Sequence, residues 1–424
     1  MSGRRGRALA ALAFPLVAAA AIVAPIVPAG AWGRFTLGLY GALSLLYVWA
    51  LRGRGESASV RGVLLAGILA RILLVAAPSF TSRDVERYLW DGAVLLEGRD
   101  PYRLLPSDPS LDGLRERFPP PRDNTGWPAI YPPAALALFA ACAAAGPDAA
   151  LWVWKAIVAA ASIAALLAVD RILREEGKRE RIAILALSPL VVLEGGVGAH
   201  LDLLVVLCVA LGLLALRRDA PGRVGLAFGV AASLKLLPLV VVLLLATRFR
   251  RSGLVRFASC AAAAIGAPYL LAIAAGLRPL GSLVPFLLYW SFGSPLFFAG
   301  VALGLPSILV RIALGIPVLV ASAILAASTH GRPAGILVRN GFAAVLLFFP
   351  VVFPWYLAVL VPALALHPSL PLLVWTLLHP LTYEVLDRYE ASGTWAPAAW
   401  PLGVIAVGVV GAWIVARFRR ADRG

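Results

Sequence analysis

Residues 152–169 read WVWKAIVAAASIAALLAV, and residues 174–181 read REEGKRER. The first stretch is long and apolar enough to cross the roughly 30 Å hydrocarbon core of a bilayer as one helix. The second is almost wholly charged and must lie in water. Lipid offers no hydrogen-bond partners, so a crossing segment must satisfy its own backbone groups, as a helix does. Because it contains four arginine or lysine residues, the loop is predicted on the cytoplasmic side.

The same alternation continues along all 424 residues, of which 61% are hydrophobic and 14% charged. A soluble domain is about half apolar and about a quarter charged. We therefore predict an all-α, polytopic protein of about 12–13 hydrophobic helices, forming a single transmembrane domain over residues 1–424. The net charge of +16 lies mostly in arginine clusters at segment ends, where it faces membrane lipids. No basic face alternates with aromatic residues, so nucleic acid is not an expected partner.

Residues 79–130 interrupt this pattern with a long stretch rich in proline, aspartate and arginine. Loops of this length are usually functional. The charge rule places it on the extracytoplasmic face of a multi-pass protein of the inner (plasma) membrane. The apolar stretch 131–146 follows directly, either as a half-helix or as a full span. Because 174–181 should be cytoplasmic, we expect 131–146 not to cross fully.

The loop begins with an amphipathic helical pattern. Asp84, Arg87, Tyr88 and Asp91 recur at intervals of three, four and seven, which places them on one helix face. A carboxylate there is suited to accept a proton from a hydroxyl nucleophile, and an arginine to hold a phosphate. The alternative is an interfacial helix whose charges are solvated and pair with one another.

Two charged positions lie beside apolar segments. His200 and Asp202 stand at the outer end of a span predicted over 182–198, where ionisable residues are functional candidates by default. Lys235 lies within the apolar stretch 223–246, which is predicted to form two short helices meeting at residues 235–238. Its ammonium group needs a partner, either a lipid phosphate or an internal acid such as Asp202.

Aromatic residues mark two further outer positions. Trp290 lies in a second outer loop, residues 276–295, and Trp355 and Tyr356 lie at a proline-containing helix break. Such residues are typical of a membrane-interface belt. Their faces also suit stacking on sugars.

Taken in order, these segments resemble a known family. Residues 82–103, SRDVERYLWDGAVLLEGRDPYR, and 127–133, WPAIYPP, are similar to the first outer loop of bacterial GT-C glycosyltransferases, especially glycosyltransferase 87-like and related mannosyltransferases. The resemblance continues through GAHLDLLVVL at 198–207, GVAASLKLLPLVVVLLL at 229–245 and PVVFPWYLAVLVP at 350–362.

The resemblance implies transfer of a sugar, most simply mannose, from a polyprenyl-phosphate-sugar donor to an extracytoplasmic lipid or glycan acceptor, with inversion. It implies Asp84 as general base, Asp202 as a second acid and Lys235 near the lipid phosphate. The residues predicted for the site are Asp84, Asp91 and Asp202 as catalytic groups, and Arg83, Arg87, Tyr88, Trp90, Tyr131, His200, Lys235, Trp290, Trp355 and Tyr356 for substrate binding.

Cofactor and alternative functions stay open at this point. No cofactor is firmly expected and no metal ligand is assigned. Relatives often carry paired acids where this chain has Arg83-Asp84, which weakens the case for a divalent metal without excluding one. A transporter or flippase of lipid-linked saccharides would favour matching halves, which the sequence does not show. Arg83 also admits a catalytically degenerate scaffold.

Overall fold

A computed structural model describes residues 3–28, 30–52, 57–328, 332–393, 395 and 397–421. Within these ranges the regular structure is helical, apart from isolated bridges of Val351 with Phe292 and Gly293. The all-α prediction is therefore confirmed. The first helices are α1 (Gly3–Ala19), α2 (Trp32–Arg52), α3 (Ser57–Leu73), α4 (Asp84–Leu96), α5 (Asp112–Arg115), α6 (Pro133–Ala143), α7 (Pro147–Glu175), α8 (Ala183–Ala186), α9 (Pro189–Gly196), α10 (Asp202–Arg217) and α11 (Pro221–Leu234).

The rest of the chain continues as helices of mixed length. The remaining α-helices are α12 (Leu239–Ala246), α13 (Arg251–Ala274), α14 (Leu283–Tyr289), α15 (Pro295–Ala302), α16 (Ser307–Ala327), α17 (Ala334–Phe348), α18 (Val361–Leu366), α19 (Leu370–Leu378), α20 (Val385–Ser392) and α21 (Ala399–Ala421). Short 3₁₀ helices span Ala20–Ile26, Leu74–Ala76, Pro109–Leu111, Arg179–Ile182, Pro354–Leu360 and His379–Glu384.

Six helices in the described part of the chain are long and apolar enough to cross a membrane: α1 with its 3₁₀ extension, α2, α7, α13, α16 and α21. The chain is thus a multi-pass membrane protein. In α7, 61% of the most apolar window is buried, against 11% in α16. α7 is therefore largely packed inside the protein, whereas most side chains of α16 are exposed at its periphery. Other predicted apolar segments form shorter or broken helices.

Two of these breaks position the site. Residues 223–246 do form two short helices, α11 and α12, because Lys235 adopts an extended backbone (φ −152°, ψ 137°) and Pro238 follows it. Residues 182–198, predicted as one span, are instead divided between α8 and α9 at Leu187-Ser188. Ser188 caps α9 by accepting a hydrogen bond from the Val191 amide, with Pro189 at the first helical position.

The break between α8 and α9 leaves backbone carbonyls without helical partners inside the protein. The buried Arg71 guanidinium donates to the carbonyls of Leu185 and Ala186, to that of Gly67, and to the Ser162 hydroxyl. These bonds satisfy the broken helix at a depth where water cannot.

Candidate active site

A cavity of about 380 Å³ lies where residues 79–130 meet the helix breaks. Its lining combines charged groups with a larger set of apolar and aromatic side chains. Its charged and polar lining comprises Arg83, Asp84, Arg87, Asp123, Asn124, Lys235 and Ser282. Its apolar and aromatic lining comprises Trp127, Pro128, Ile130, Tyr131, Pro132, Leu236, Leu237, Val240, Leu283, Phe286, Leu287, Trp290, Val345, Phe349, Phe353, Trp355 and Tyr356.

Asp84 is one of two acids in the cavity lining described above, with Asp123. It is the first residue of α4, where its amide donates to the Ser82 hydroxyl at 3.2 Å. An acidic side chain is favoured at a helix N-terminus by the unpaired amides and the helix dipole. Its side chain stays 31% exposed, and the Tyr88 hydroxyl lies 3.5 Å from Oδ2. Asp84 is thus fixed in place and still open to a ligand in the cavity.

Arg83 and Arg87 bring positive charge beside Asp84. Arg83 Nη1 lies 3.1 Å from Asp123 Oδ1, and the Tyr389 hydroxyl donates to that same oxygen at 2.6 Å. Arg87 donates from Nε to Asp91 at 2.8 Å and from Nη1 to the Asn124 carbonyl. Its Nη2 is buried and has no hydrogen-bond partner within the described ranges. Arg87 therefore keeps one unpaired, buried donor next to the cavity that it lines.

Asp91 and Trp90 are not part of the cavity lining among the residues described. Asp91 is 2% exposed and pairs with Arg87, as the interfacial-helix alternative anticipated. Burial raises the pKa of Asp91 to about 6, although the Arg87 guanidinium acts to lower it. Trp90 is buried on another face of α4. Tyr88 is buried too. Its ring stacks on Phe139 with centroids 4.6 Å apart, and its hydroxyl lies next to the Asp84 carboxylate. Direct substrate roles for these three residues stay predictions.

His200 lies fully buried in the turn between α9 and α10. Its Nδ1 is 3.5 Å from Asp84 Oδ2, and its Nε2 is 3.2 Å from Glu194 Oε2. The Trp355 ring stacks on the imidazole with centroids 3.9 Å apart and separates it from the cavity space. His200 therefore contacts Asp84 from outside the cavity lining.

Lys235 and Asp202 form an ion pair at the α11–α12 break. Lys235 Nζ is 2.8 Å from both carboxylate oxygens, and Asp202 is almost completely buried. The ammonium also lies 3.7 Å from the centroid of the Tyr356 ring, a cation–π distance. Lys235 and Tyr356 line the cavity. The structure thus realises the internal pairing that the sequence left as one alternative.

The predicted aromatic residues meet across the cavity rather than forming only an interface belt. Trp290 packs edge-on against Trp127, with centroids 5.0 Å apart. Tyr131 packs edge-on against Tyr88 at 5.0 Å. Trp355 completes the wall between His200 and Phe353. The sequence indicated all of these except Trp127, which lies within a quoted motif but was not chosen.

Residues 7–251, more than half of the chain, match the family model MptA_B, alpha-(1->6)-mannopyranosyltransferase, N-terminal domain. The chain belongs to this mannosyltransferase family. No curated protein and no solved structure matches it significantly. Family membership agrees with the resemblance to GT-C mannosyltransferases and makes the chain a glycosyltransferase by family.

The mannosyltransferase match covers part of the cavity lining. Asp84, His200, Asp202 and Lys235 all fall within residues 7–251. Trp290, Trp355 and Tyr356 come from the chain beyond the match and also line the cavity. The charged groups thus belong to the part that defines the family.

The donor set of this mannosyltransferase gives no support for a metal ion. Among the described residues, no group of three His, Cys, Asp or Glu side chains is placed to hold one. Asp84 is flanked instead by Arg83 and backed by His200. No metal ligand is assigned, and the proposed reaction is written without a metal ion.

Glu194 is the functional candidate that sequence reasoning missed. It lies in α9, completely buried, within a stretch interpreted as a plain span. A lone acid in an apolar segment is itself a functional signal, and that signal would have found it. Asp123 was missed as well, because it lies among several charged residues of the loop and nothing local distinguishes it.

Proposed function

We propose that this chain transfers mannose from a polyprenyl-phosphate-mannose donor to a hydroxyl of an extracytoplasmic glycan or glycolipid acceptor, with Asp84 as general base. The observation that carries the proposal is a cavity lined both by charged groups, Asp84 among them, and by many apolar side chains. A sugar phosphate on a prenyl chain combines the same two kinds of chemistry.

The apolar wall supports a lipid-linked donor over a nucleotide sugar. Leu236, Leu237 and Val240 from the α11–α12 region line the cavity, as do Leu283 and Leu287 of α14. Burying apolar chain is worth roughly 0.8 kcal/mol per CH₂. A prenyl chain would gain that stabilisation here, whereas a nucleotide base and ribose would leave polar groups unpaired. The sequence also lacks nucleotide-loop fingerprints such as GxxxxGK[ST].

The reaction balances with the groups present. An acceptor hydroxyl attacks the anomeric carbon of mannose while its proton passes to the Asp84 carboxylate. The bond between that carbon and the phosphate oxygen breaks, and the polyprenyl phosphate leaves with the electron pair. For a 1→6 linkage the attacking group is a primary hydroxyl. Asp84 has the exposure that this contact requires.

The positive groups of the cavity suit the leaving phosphate. Arg87 has a free, buried Nη2 donor, and Arg83 and Lys235 line the same space. A guanidinium binds phosphate oxygens through directed hydrogen bonds. Positive groups already in place where negative charge develops on the leaving phosphate lower the activation barrier, because they need not reorganise during the step.

The anomeric configuration of the product determines which donor isomer can react. The family description names an alpha-(1->6) linkage. An inverting transfer gives an α product only from a β-linked donor. We therefore expect β-linked polyprenyl-phosphate-mannose to be consumed and its α-linked isomer to be inert.

The test uses purified protein in lipid vesicles with β-linked polyprenyl-phosphate-[¹⁴C]mannose and an oligomannoside acceptor. Asp84→Asn should lower kcat at least about 100-fold, the scale of a lost general base, without lowering the amount of folded protein. Asp112→Asn is the matched control, since Asp112 lies in the same loop with its side chain 69% exposed. It should keep wild-type activity. Wild-type rates in Asp84→Asn would remove Asp84 as the base. Movement of donor across the bilayer without transfer would favour a flippase.

A further inference from the structure

A chain of buried ionisable groups runs behind Asp84, away from the cavity. Asp84 contacts His200, and His200 contacts Glu194, at 3.5 and 3.2 Å. Both His200 and Glu194 have no exposed side-chain surface. Nothing in the transfer reaction as written uses either group, yet burying a carboxylate and an imidazole is unfavourable unless each has charged or hydrogen-bonding partners.

Two tyrosines and one tryptophan hold this chain in place. The hydroxyls of Tyr40 and Tyr383 both donate to Glu194 Oε1, the second at 2.7 Å. Glu194 Oε2 is left facing the imidazole. The Trp355 ring stacks on one face of the His200 ring, with 12° between the two ring planes. The imidazole is therefore clamped in position and orientation.

The backbone of the turn between α9 and α10 also helps to fix the position of His200. Ala199 has a positive φ of 46°, unusual for a residue with a Cβ, and the Trp154 indole donates to its carbonyl at 2.7 Å. The His200 amide donates to the carbonyl of Glu194. Strained backbone held by surrounding bonds is characteristic of functional sites.

We propose that His200, held as an imidazolium by Glu194, is a positioning residue that orients the Asp84 carboxylate toward the acceptor hydroxyl and keeps a positive charge behind it. This inference rests on the proposed function for its catalytic meaning. Removal of the cation would leave two carboxylates, Asp84 and Glu194, facing the same buried space without compensation, which is unfavourable.

The charge of His200 follows from what surrounds it. Burial lowers the pKa of His200, but the contacts with Asp84 and Glu194 outweigh burial and raise it to about 9. The groups that face the ring are Asp84 and the Ser82 hydroxyl from the start of α4, Glu194 from α9 and the uncharged Trp355 ring. Two acids and no base face it among the described residues. His200 is thus positively charged at neutral pH.

The first test measures the protonation of the His200 imidazole directly and does not depend on transferase activity. The chain has four histidines, so ¹⁵N-histidine labelling in nanodiscs gives few signals, and His200→Gln identifies the one of interest. We expect its titration midpoint near pH 9. Asp84→Asn and Glu194→Gln should each move the midpoint down by a unit or more. Asp84→Asn is the safer variant, because its side chain is partly exposed and unfolding is not expected.

The second test measures the kinetics of mannosyl transfer. His200→Gln should lower kcat at least tenfold, leave the KM for the donor within twofold, and move the acid limb of the pH–rate profile toward neutral pH. A merely structural role would lower the amount of folded protein without moving that limb. His367→Gln is the matched control, because His367 lies at the end of α18, outside the cavity lining described above.

Different results would overturn the positioning role of His200 and the proposed mannosyl transfer. A His200 midpoint at or below its usual range, or one that ignores Asp84→Asn, would overturn the positioning role whatever the activity. A midpoint near pH 9 that both variants lower, in a protein that transfers no mannose, would keep the Asp84–His200–Glu194 chain and reject the mannosyl donor.

Discussion

At the scale of single residues, Lys235 and Asp202 show how one pair can serve both stability and chemistry. Asp202 is 1% exposed, and the Lys235 side chain is 18% exposed toward the cavity. Breaking a buried pair by removing one partner typically costs about 3–5 kcal/mol, whereas replacing both partners by neutral groups of similar volume is often harmless. The two roles of Lys235 can therefore be separated.

We predict that Asp202→Asn and Lys235→Met each lower the free energy of unfolding by about 3 kcal/mol, because each leaves a buried charged group unpaired. The double variant should recover most of that loss in thermal unfolding. Its mannosyl transfer should stay at least tenfold low, because the leaving phosphate has lost a cation.

Glu175→Gln is the control for this pair. Its partner Arg171 is 57% exposed, so the change should cost about 1 kcal/mol or less. Full recovery of transfer in the double variant would make Lys235 purely structural.

The residues that sequence reasoning found are those whose chemistry contrasts with their neighbours. Asp84, His200 and Lys235 are charged or ionisable groups at the ends of apolar segments, and they converge on the cavity or its immediate support. Which group contacts which was not predictable, because contacts such as Glu194 with Tyr383 join positions 189 residues apart. The role of His200 behind Asp84, rather than on the substrate side, likewise follows only from three-dimensional placement.

At the scale of elements, Asp84, the proposed base, is positioned by α4 packed on α6. α6 has 11 residues and is therefore about 16 Å long, too short to cross a bilayer. It lies against α4, and Gly92 allows the approach, because a Cβ there would clash with the backbone carbonyl of Phe139. The position of Asp84 at the start of α4 depends on this contact.

We predict that Gly92→Ala destabilises the protein by about 1–3 kcal/mol, the usual effect of overpacking, and lowers transfer by displacing α4. Gly113→Ala is the matched control, since a Cβ at Gly113 meets nothing within 4 Å. It should be neutral or slightly stabilising. Thermal unfolding and kcat measured on both variants decide the matter. Equal behaviour of the two would show that the α4–α6 contact is looser than described.

Helix breaks were only partly predictable from sequence. The break at residues 235–238 was expected because a lysine and a proline interrupt an apolar run, and the structure has it there. The break at Leu187-Ser188 was not, although Ser188-Pro189 is itself a helix-start signal. Hydropathy alone treated residues 182–198 as continuous, because apolar residues surround the break on both sides.

At the scale of the whole molecule, α7 links the two faces of the protein. Its 29 residues make a helix of about 44 Å, longer than the roughly 30 Å hydrocarbon core. One end adjoins α6, near residues 79–130 and the cavity, and the other leads to the charged segment 174–181. If α7 crosses the bilayer as its length and composition allow, these two regions lie on opposite sides of it.

We predict that Asp112→Cys is labelled by a membrane-impermeant maleimide in intact cells and that Arg174→Cys is not. Both side chains are largely exposed, at 69% and 55%, so access depends on sidedness alone. The background replaces Cys142, Cys208 and Cys260 by alanine. Both cysteines should react after permeabilisation, which controls for intrinsic reactivity. Labelling of Arg174→Cys alone in intact cells would place the cavity in the cytoplasm, where soluble nucleotide sugars are available, and the case for a lipid-linked donor would then rest on the apolar wall alone.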